Sequence, residues 1–378
     1  MGHHDLIVVG AGIVGAACAD AASAAGLRVA IIEPGPIGGG ATGAGMGHLV
    51  ALDDDPAELT LASHSKKLWE RYAQLPEAEF NRCGTLWVAR GERELAGLPA
   101  RIARLTAAGV HAEALNAADL RRVEPALAAN LSGGMLVASD AVVYPPRVAR
   151  YLVQQAVARG AALVLGRRVR RLNDDGVTLD DGSRMRGGAV LVAAGCATVE
   201  LLPQLPLRRR KGHLIITDRY TGALRHQVVE LGYSDSVHDL TAASVAFNVQ
   251  PRFTGQILIG SSREFDSDDE RVSRPMLRRM LERAFEFMPG LRELKALRAW
   301  TGFRPASVDA VPYLGAVDDS RRTWVAAGHE GLGVTTALGS AQLLLDLFLG
   351  RRPAIDPAPY SPIRVAGTLR ACRECAQP

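Results

Sequence analysis

Two constellations in this 378-residue sequence carry residue types whose spacing suits chemistry. One is TGFRPASVDAVPYLG, residues 301–315, in which Arg304 precedes Pro305 and Asp309 follows five residues later. Proline fixes its own φ and pushes the preceding residue toward extended geometry, so Arg304 is expected on a stiff, non-helical frame. A planar guanidinium held that way can bind a carboxylate through two parallel hydrogen bonds. The same residues also allow a structural pair with Asp309, or an exposed loop arginine.

The other constellation opens the chain. Residues 5–33 read DLIVVGAGIVGAACADAASAAGLRVAIIE. Leu6–Val9 is an apolar run of buried-strand type, Gly10-Ala11-Gly12-Ile13-Val14-Gly15 turns into a small-residue helix, and Arg28–Ile32 is the next strand. In such a unit the glycines serve a tight turn, an open approach for a pyrophosphate and close helix–strand packing. The free N–H groups and dipole at the helix start favour phosphate charge. Glu33 stands 18 residues after Gly15, where a carboxylate can accept hydrogen bonds from a ribose. A βαβ unit with a purely structural role is the alternative.

The elements that follow decide between dinucleotides. An NAD-binding domain would continue with further βα units. Here the second strand enters GPIGGGATGAGMGH, residues 35–48, whose glycines let backbone lie flat against a bulky ring system. Thr42 and the amides after it could reach phosphate, although a flexible hairpin is the plainer assignment. Gly188–Gly195 and Thr323–Ala327 are expected as further buried strands. The second of these leads through GHEGLG, residues 328–333, into an apolar helix ending near Leu349. A cofactor touched by so many discontinuous segments is more like FAD than NAD. In the middle of the chain, Gln227–Leu231, Ser244–Gln250 and Gln256–Ser261 are expected as strands, Arg252–Gly255 as a hairpin turn and Arg274–Phe287 as an amphipathic helix. Along Val245–Gln250, strand alternation sends Val245, Phe247 and Val249 to one face and Ala246, Asn248 and Gln250 to the other.

Composition narrows the classes. A hydrophobic fraction of 48% and a charged fraction of 22% suit a soluble globular protein, and the length suits two domains. The net charge of +4 raises nucleic acid, but the basic residues are scattered among 40 acids, so no nucleic-acid partner is expected. Arg208-Arg209-Arg210-Lys211 is the one compact basic run and is expected to be a solvated face. Asp20 interrupts the best candidate for a membrane span, and the early first strand leaves no room for a signal peptide. Five irregularly spaced cysteines fit reduced thiols in a cytoplasmic protein. No metal site is expected within the chain.

Taken in order, VVGAGIVG with Glu33, ATGAGMG, LVAAGC, TGFRPASVDAVPYLG and AAGHEGLGVTTALG resemble the FAD-dependent D-amino-acid oxidase family, which includes glycine oxidase and sarcosine oxidase. The likeness runs to about residue 365. Within the family the chain looks most like the catalytic subunits of bacterial hetero-oligomeric amine dehydrogenases, such as D-hydroxyproline dehydrogenase, opine oxidase and hydrogen cyanide synthase. The resemblance implies an α/β fold: a Rossmann-like FAD-binding domain from residues 1–82, 136–208 and 301–365, and a discontinuous α+β substrate domain from 83–135 and 209–300. Residues 366–378 would form a C-terminal tail.

It also implies site residues. FAD contacts would come from Gly10, Gly12, Ile13, Val14, Gly15, Glu33, Pro34, Ala41, Thr42, Gly45, Met46, Gly47, Val169, Ala194, Gly195, Gly328, Gly331, Leu332 and Gly333. Arg304 would bind the substrate carboxylate. A tyrosine that assists the carboxylate in glycine oxidase-like sequences falls where this chain has Asn248, which points to a different or cyclic substrate, or to an ordinary exposed polar residue. His48 and His329 would pass near the isoalloxazine and tune the ring or orient the amine, unless each is simply a satisfied loop histidine. Tyr233 and Tyr313 are weaker candidates, and no general base is assigned. The expected activity is oxidation of the Cα–N bond of a small D-amino or cyclic imino acid of proline type. Electrons would leave through partner subunits. A stand-alone oxidase making hydrogen peroxide and a non-catalytic FAD relay subunit are the alternatives. Cys372-Arg373-Glu374-Cys375 is either a frayed tail or a contact with a partner subunit carrying an iron–sulfur centre.

Overall fold

The structure is a computed structural model that describes residues 3–52, 54–232, 243–265 and 267–365. Tyr233, Cys372 and Cys375 lie outside the described residues.

The first strand, His4–Val9, is apolar toward both faces because it is the inner strand of a mostly parallel sheet. Its neighbours are Val29–Glu33 and Arg184–Val192. The sheet continues to Ala162–Leu165 on one side and to Thr323–Ala327, then antiparallel Tyr313–Ala316, on the other. Leu6 and Val8 point into a core shared with the helices Ile13–Ala24, Pro145–Ala158 and Gly333–Phe348. Ile7 and Val9 point to the opposite face, where Val169, Val177, Leu179 and Met185 cover them. The expected strand at 188–195 is displaced slightly, to Arg184–Val192; Thr323–Ala327 and the helix after it lie where expected.

Glu330–Phe348 is long and apolar enough to cross a membrane by composition, unlike the stretch broken by Asp20. Its apolarity has another cause. Ala337, Leu338, Ala341 and Leu344 are buried in the core, and the helix packs on Ile13–Ala24 and Pro56–Trp69.

A second sheet runs in the order 296–307, 207–219, 256–265, 244–251, 227–230, 85–89, 133–137 and 113–116. All its pairs are antiparallel except 227–230 with 85–89. Helix Arg274–Phe287 has the expected bounds. Ser273 caps it, and Met276, Met280, Ala284 and Phe287 form its buried stripe. Phe287 stacks on Phe247 with ring centroids 4.6 Å apart. The expected alternation therefore holds: Phe247 and Val249 face this helix, and Asn248 and Gln250 face the other way.

Two local expectations differ. The glycine-rich segment after Glu33 is not a plain loop, because Gly40–Ala44 makes a short helix and His48–Leu49 pairs with Ala141–Val142. The basic run is not a solvated face. It starts strand Leu207–Arg219, and Arg210 and Lys211 are only 3% and 2% exposed. Both faces of the strand are covered here: an acidic partner holds Arg210, and Arg208 and Arg209 lie over the rings of Phe265 and Phe303. Residues 301–315 step from one sheet to the other. Thr301–Ser307 ends the strand paired with 207–219, Ala310 turns the chain at φ 63°, and Tyr313–Ala316 enters the first sheet.

Candidate active site

The nucleotide cradle is built by close backbone crossings. Gly10 has φ +108°, and a Cβ there would lie 2.4 Å from the Ala193 carbonyl oxygen; one on Gly15 would lie 2.1 Å from the Gly10 oxygen. Only glycine fits either position. Helix Ile13–Ala24 begins at Gly12 with no side-chain cap and no acid in its first turn. The Ile13 N–H donates to Thr42 Oγ1 at 3.0 Å, which brings the second glycine-rich segment onto the helix start. Glu33 accepts from the Ala11 N–H at 2.7 Å and from the Gly35 N–H at 2.8 Å, fastening the turn to the end of the second strand; Pro34 beside it is exposed. A helix start with no side-chain cap at Gly12 and no acid in its first turn fits the pyrophosphate of a dinucleotide.

The other expected cofactor residues fall on the surrounding segments. Ala41 and Gly45 flank Thr42 in and just after the short helix, and Met46 and Gly47 follow. Ala194 and Gly195 sit just past the strand Arg184–Val192, with Gly195 at φ +57°. Gly328, at φ +84°, Gly331, Leu332 and Gly333 lead into the apolar helix, whose start also lacks a side-chain cap. Val169, 6% exposed, packs into the core face that holds Ile7 and Ile32.

Arg304 lies on strand Ala296–Ser307, opposite Arg210. Its Nη1 is 3.8 Å from Glu330 Oε1 and donates to the Ser262 carbonyl at 3.5 Å. Arg210 Nη1 reaches the same Glu330 oxygen at 3.1 Å. Asp309 is not its partner, because Arg364 binds that carboxylate through two hydrogen bonds of 2.8 and 3.0 Å. Nor is Arg304 an exposed loop residue, its side chain being 21% exposed. Burial works to raise the Glu330 carboxyl, but the charges of Arg304, Arg210 and Arg263 outweigh it and hold the group below its usual range.

His48 and Asn248 are brought together. Asn248 Nδ2 lies 3.4 Å from His48 Nε2, and His48 Nδ1 lies 2.6 Å from Gln227 Oε1. Burial pushes His48 down to about 4, against the Gln227 hydrogen bond and with help from the Arg304 and Arg252 charges, so its ring is neutral at neutral pH. Asn248 is not an exposed polar residue. It is 4% exposed, and its Oδ1 is buried without a hydrogen-bond partner. His329 turns elsewhere: its Nε2 is 3.1 Å from Ser340 Oγ, and burial alone takes it down to about 4. The Tyr313 hydroxyl donates to the Pro206 carbonyl at 3.4 Å. No group of three or more His, Cys, Asp or Glu side chains able to hold a metal occurs among the described residues.

A family model described as DAO, FAD dependent oxidoreductase, matches residues 5–347. The chain belongs to this family. It is 32% identical to glycine oxidase of Pseudomonas aeruginosa over 380 residues, covering 94% of this chain and 98% of that protein. Hydrogen cyanide synthase subunit HcnC of the same organism is 25% identical, over 94% of this chain and 95% of its own. The crystal structure of glycine oxidase from Geobacillus kaustophilus superposes with a TM-score of 0.85 at 26% identity, covering 96% and 98% of the two chains. The chain is thus an FAD-dependent oxidoreductase of the amino-acid oxidase and dehydrogenase family, with that family's mixed α/β fold.

Glu330, Arg210 and Gln227 were missed by sequence reasoning. A signal for Arg210 was present, since a basic run in a strand must alternate faces. Glu330, in the turn after Thr323–Ala327, and Gln227, on a strand, meet their partners only through contacts between distant segments.

Proposed function

We propose that this chain is a dehydrogenase for the Cα–N bond of a small D-amino or cyclic imino acid of proline type, and that it hands electrons to partner subunits. The observation that carries this reading is the convergence of Arg304 and Arg210 on one carboxylate, that of Glu330. Two guanidiniums against one acid leave net positive charge for a substrate carboxylate, which Arg304 would bind and orient. FAD, when bound, supplies the acceptor for the electron pair of the substrate's Cα–H bond. The cofactor would be held by the Gly10–Gly15 turn, Thr42 and the start of the helix at Gly333, with residues 1–82, 136–208 and 301–365 as its domain. Residues 83–135 and 209–300 would carry the substrate side. Positioning is the main task left to the side chains. His48 and Asn248, beyond the Arg304 guanidinium, would face the amine, which reacts in its neutral form.

Resemblance to a hydrogen cyanide synthase subunit supports a subunit working in a hetero-oligomer. The greater identity to a glycine oxidase favours a second reading, a stand-alone oxidase. Peroxide yield measured against dye reduction with the purified holoprotein decides between them. The dehydrogenase reading expects dye reduction with little peroxide, and peroxide equal to substrate consumed would contradict it.

A further inference from the structure

Behind His48 runs a chain of buried polar side chains drawn from four separate segments. His48 Nδ1 meets Gln227 Oε1 at 2.6 Å, and Gln227 Nε2 donates to Thr85 Oγ1. The Thr85 hydroxyl donates to Asp140 Oδ2 at 2.5 Å, and Lys66 Nζ is bound to Asp140 Oδ1. Gln227, Thr85 and Asp140 are each 0% exposed. Lys66, 10% exposed, also lies 3.4 Å from Ser139 Oγ, so the chain ends near the surface.

Donors and acceptors in this chain can be ordered in one direction. Burial raises the Asp140 carboxyl above its usual range, while Lys66 and Thr85 pull it back; with Lys66 Nζ on Oδ1 and the Thr85 hydroxyl on Oδ2, both of its oxygens act as acceptors here. The single Thr85 proton must go to Asp140, leaving the hydroxyl oxygen to accept from the Gln227 amide. The Gln227 carbonyl then faces His48 and can only accept, which puts the proton of the neutral imidazole on Nδ1. Nε2 is left as a lone pair that accepts from the Asn248 amide. Asn248 Oδ1 therefore points away from His48, buried and unpaired. An acceptor in that state costs free energy unless a donor reaches it.

We propose that Asp140, Thr85 and Gln227 are positioning residues that fix His48 as its Nδ1–H tautomer and so present the Asn248 carbonyl oxygen as acceptor for an N–H of the substrate amine. This rests on the amino-acid reading above for the identity of the donor, not for the relay itself. Reversing the chain would present the Asn248 amide N–H instead, which cannot accept from an N–H of the substrate amine.

The test uses the ¹⁵N-histidine-labelled holoprotein at pH 7.5 without substrate, with the His48 signals assigned by their loss in His48→Gln. His48 is expected as the Nδ1–H tautomer. Asp140→Asn should turn it wholly or partly to Nε2–H. It should lower kcat/KM for the best amino-acid substrate by tenfold or more, while the Kd of acetate, a carboxylate without nitrogen, moves less than twofold. Should Asp140→Asn fail to fold beside the unpaired Lys66, Thr85→Val breaks the relay without exposing a charge and should yield mixed tautomers. An Nε2–H tautomer in the unmodified protein, or an unchanged tautomer in Thr85→Val, overturns the relay. If no amino acid reduces the flavin, the functional reading fails while the tautomer measurement still decides the relay.

Discussion

Arg210 and Arg304 are cross-strand partners, and both guanidiniums reach the Glu330 carboxylate, at 3.1 and 3.8 Å. Like charges directly opposite one another destabilise a sheet, so the pair needs the acid between them. Glu330 meets that need from a left-handed turn at φ +46°, a conformation that costs a non-glycine residue free energy. A strained acid holding two cations in register is a placement suited to anion binding.

The Arg304 guanidinium lies across Gly212, where a Cβ would stand 2.8 Å from Nη2. Gly212→Ala should displace the guanidinium without removing it. KM for the amino-acid substrate is expected to rise severalfold, with FAD absorbance unchanged. Gly290→Ala, at a position with open space around it, is the control and should behave as the unmodified protein. Equal kinetics in the two variants would show that the position of Arg304 does not matter.

Gly15→Ala would press a Cβ to 2.1 Å from the Gly10 oxygen and force the helix away from the first turn. The variant is expected to purify colourless and to bind added FAD at least tenfold more weakly, measured by flavin fluorescence quenching. Normal flavin content would contradict the cradle.

The two faces of strand Ser244–Pro251 should separate stability from activity. Phe247→Ala removes a fully buried ring stacked on Phe287, and such truncations cost about 3–5 kcal/mol. Asn248→Ala removes an unpaired oxygen together with one long hydrogen bond to His48, so a smaller loss of about 1–2 kcal/mol is expected. Turnover should nonetheless fall. Urea unfolding and steady-state kinetics on both variants check the contrast.

His329 gives a pH dependence whose sign is fixed. Burial lowers its value from 6.5 to about 4 in the folded protein. The unfolded chain therefore binds a proton that the folded one refuses, and stability falls as pH drops from about 6.5 to about 4. At 1.36 kcal/mol per unit this amounts to about 3 kcal/mol. Unfolding free energy measured across that window with saturating FAD should slope less steeply in His329→Gln. Identical slopes would place the histidine in a more solvated setting.

Local patterns carried much of this in the sequence. The first βαβ unit, the two-faced strand around Phe247 and the helix Arg274–Phe287 follow from glycine placement and from periods of two and 3.6 residues. Pairings between distant segments did not. Asp309 finds Arg364, 55 residues on, and Arg210 finds Arg304 only through a register that no local pattern encodes. Gln227, Thr85 and Asp140 look unremarkable one by one, and their order emerges only once three segments meet.

The central claim is that Arg304 presents an amino or imino acid to FAD by its carboxylate. Anaerobic titration of the holoprotein with a panel of D- and N-alkyl amino acids, followed by flavin absorbance, tests it most directly. Bleaching by at least one member is expected. In Arg304→Ala, bleaching should require roughly 10- to 100-fold more of that compound, the loss of a hydrogen bond to a charged group, with FAD still bound. No bleaching by any member, or an unchanged titration in Arg304→Ala, would contradict the account.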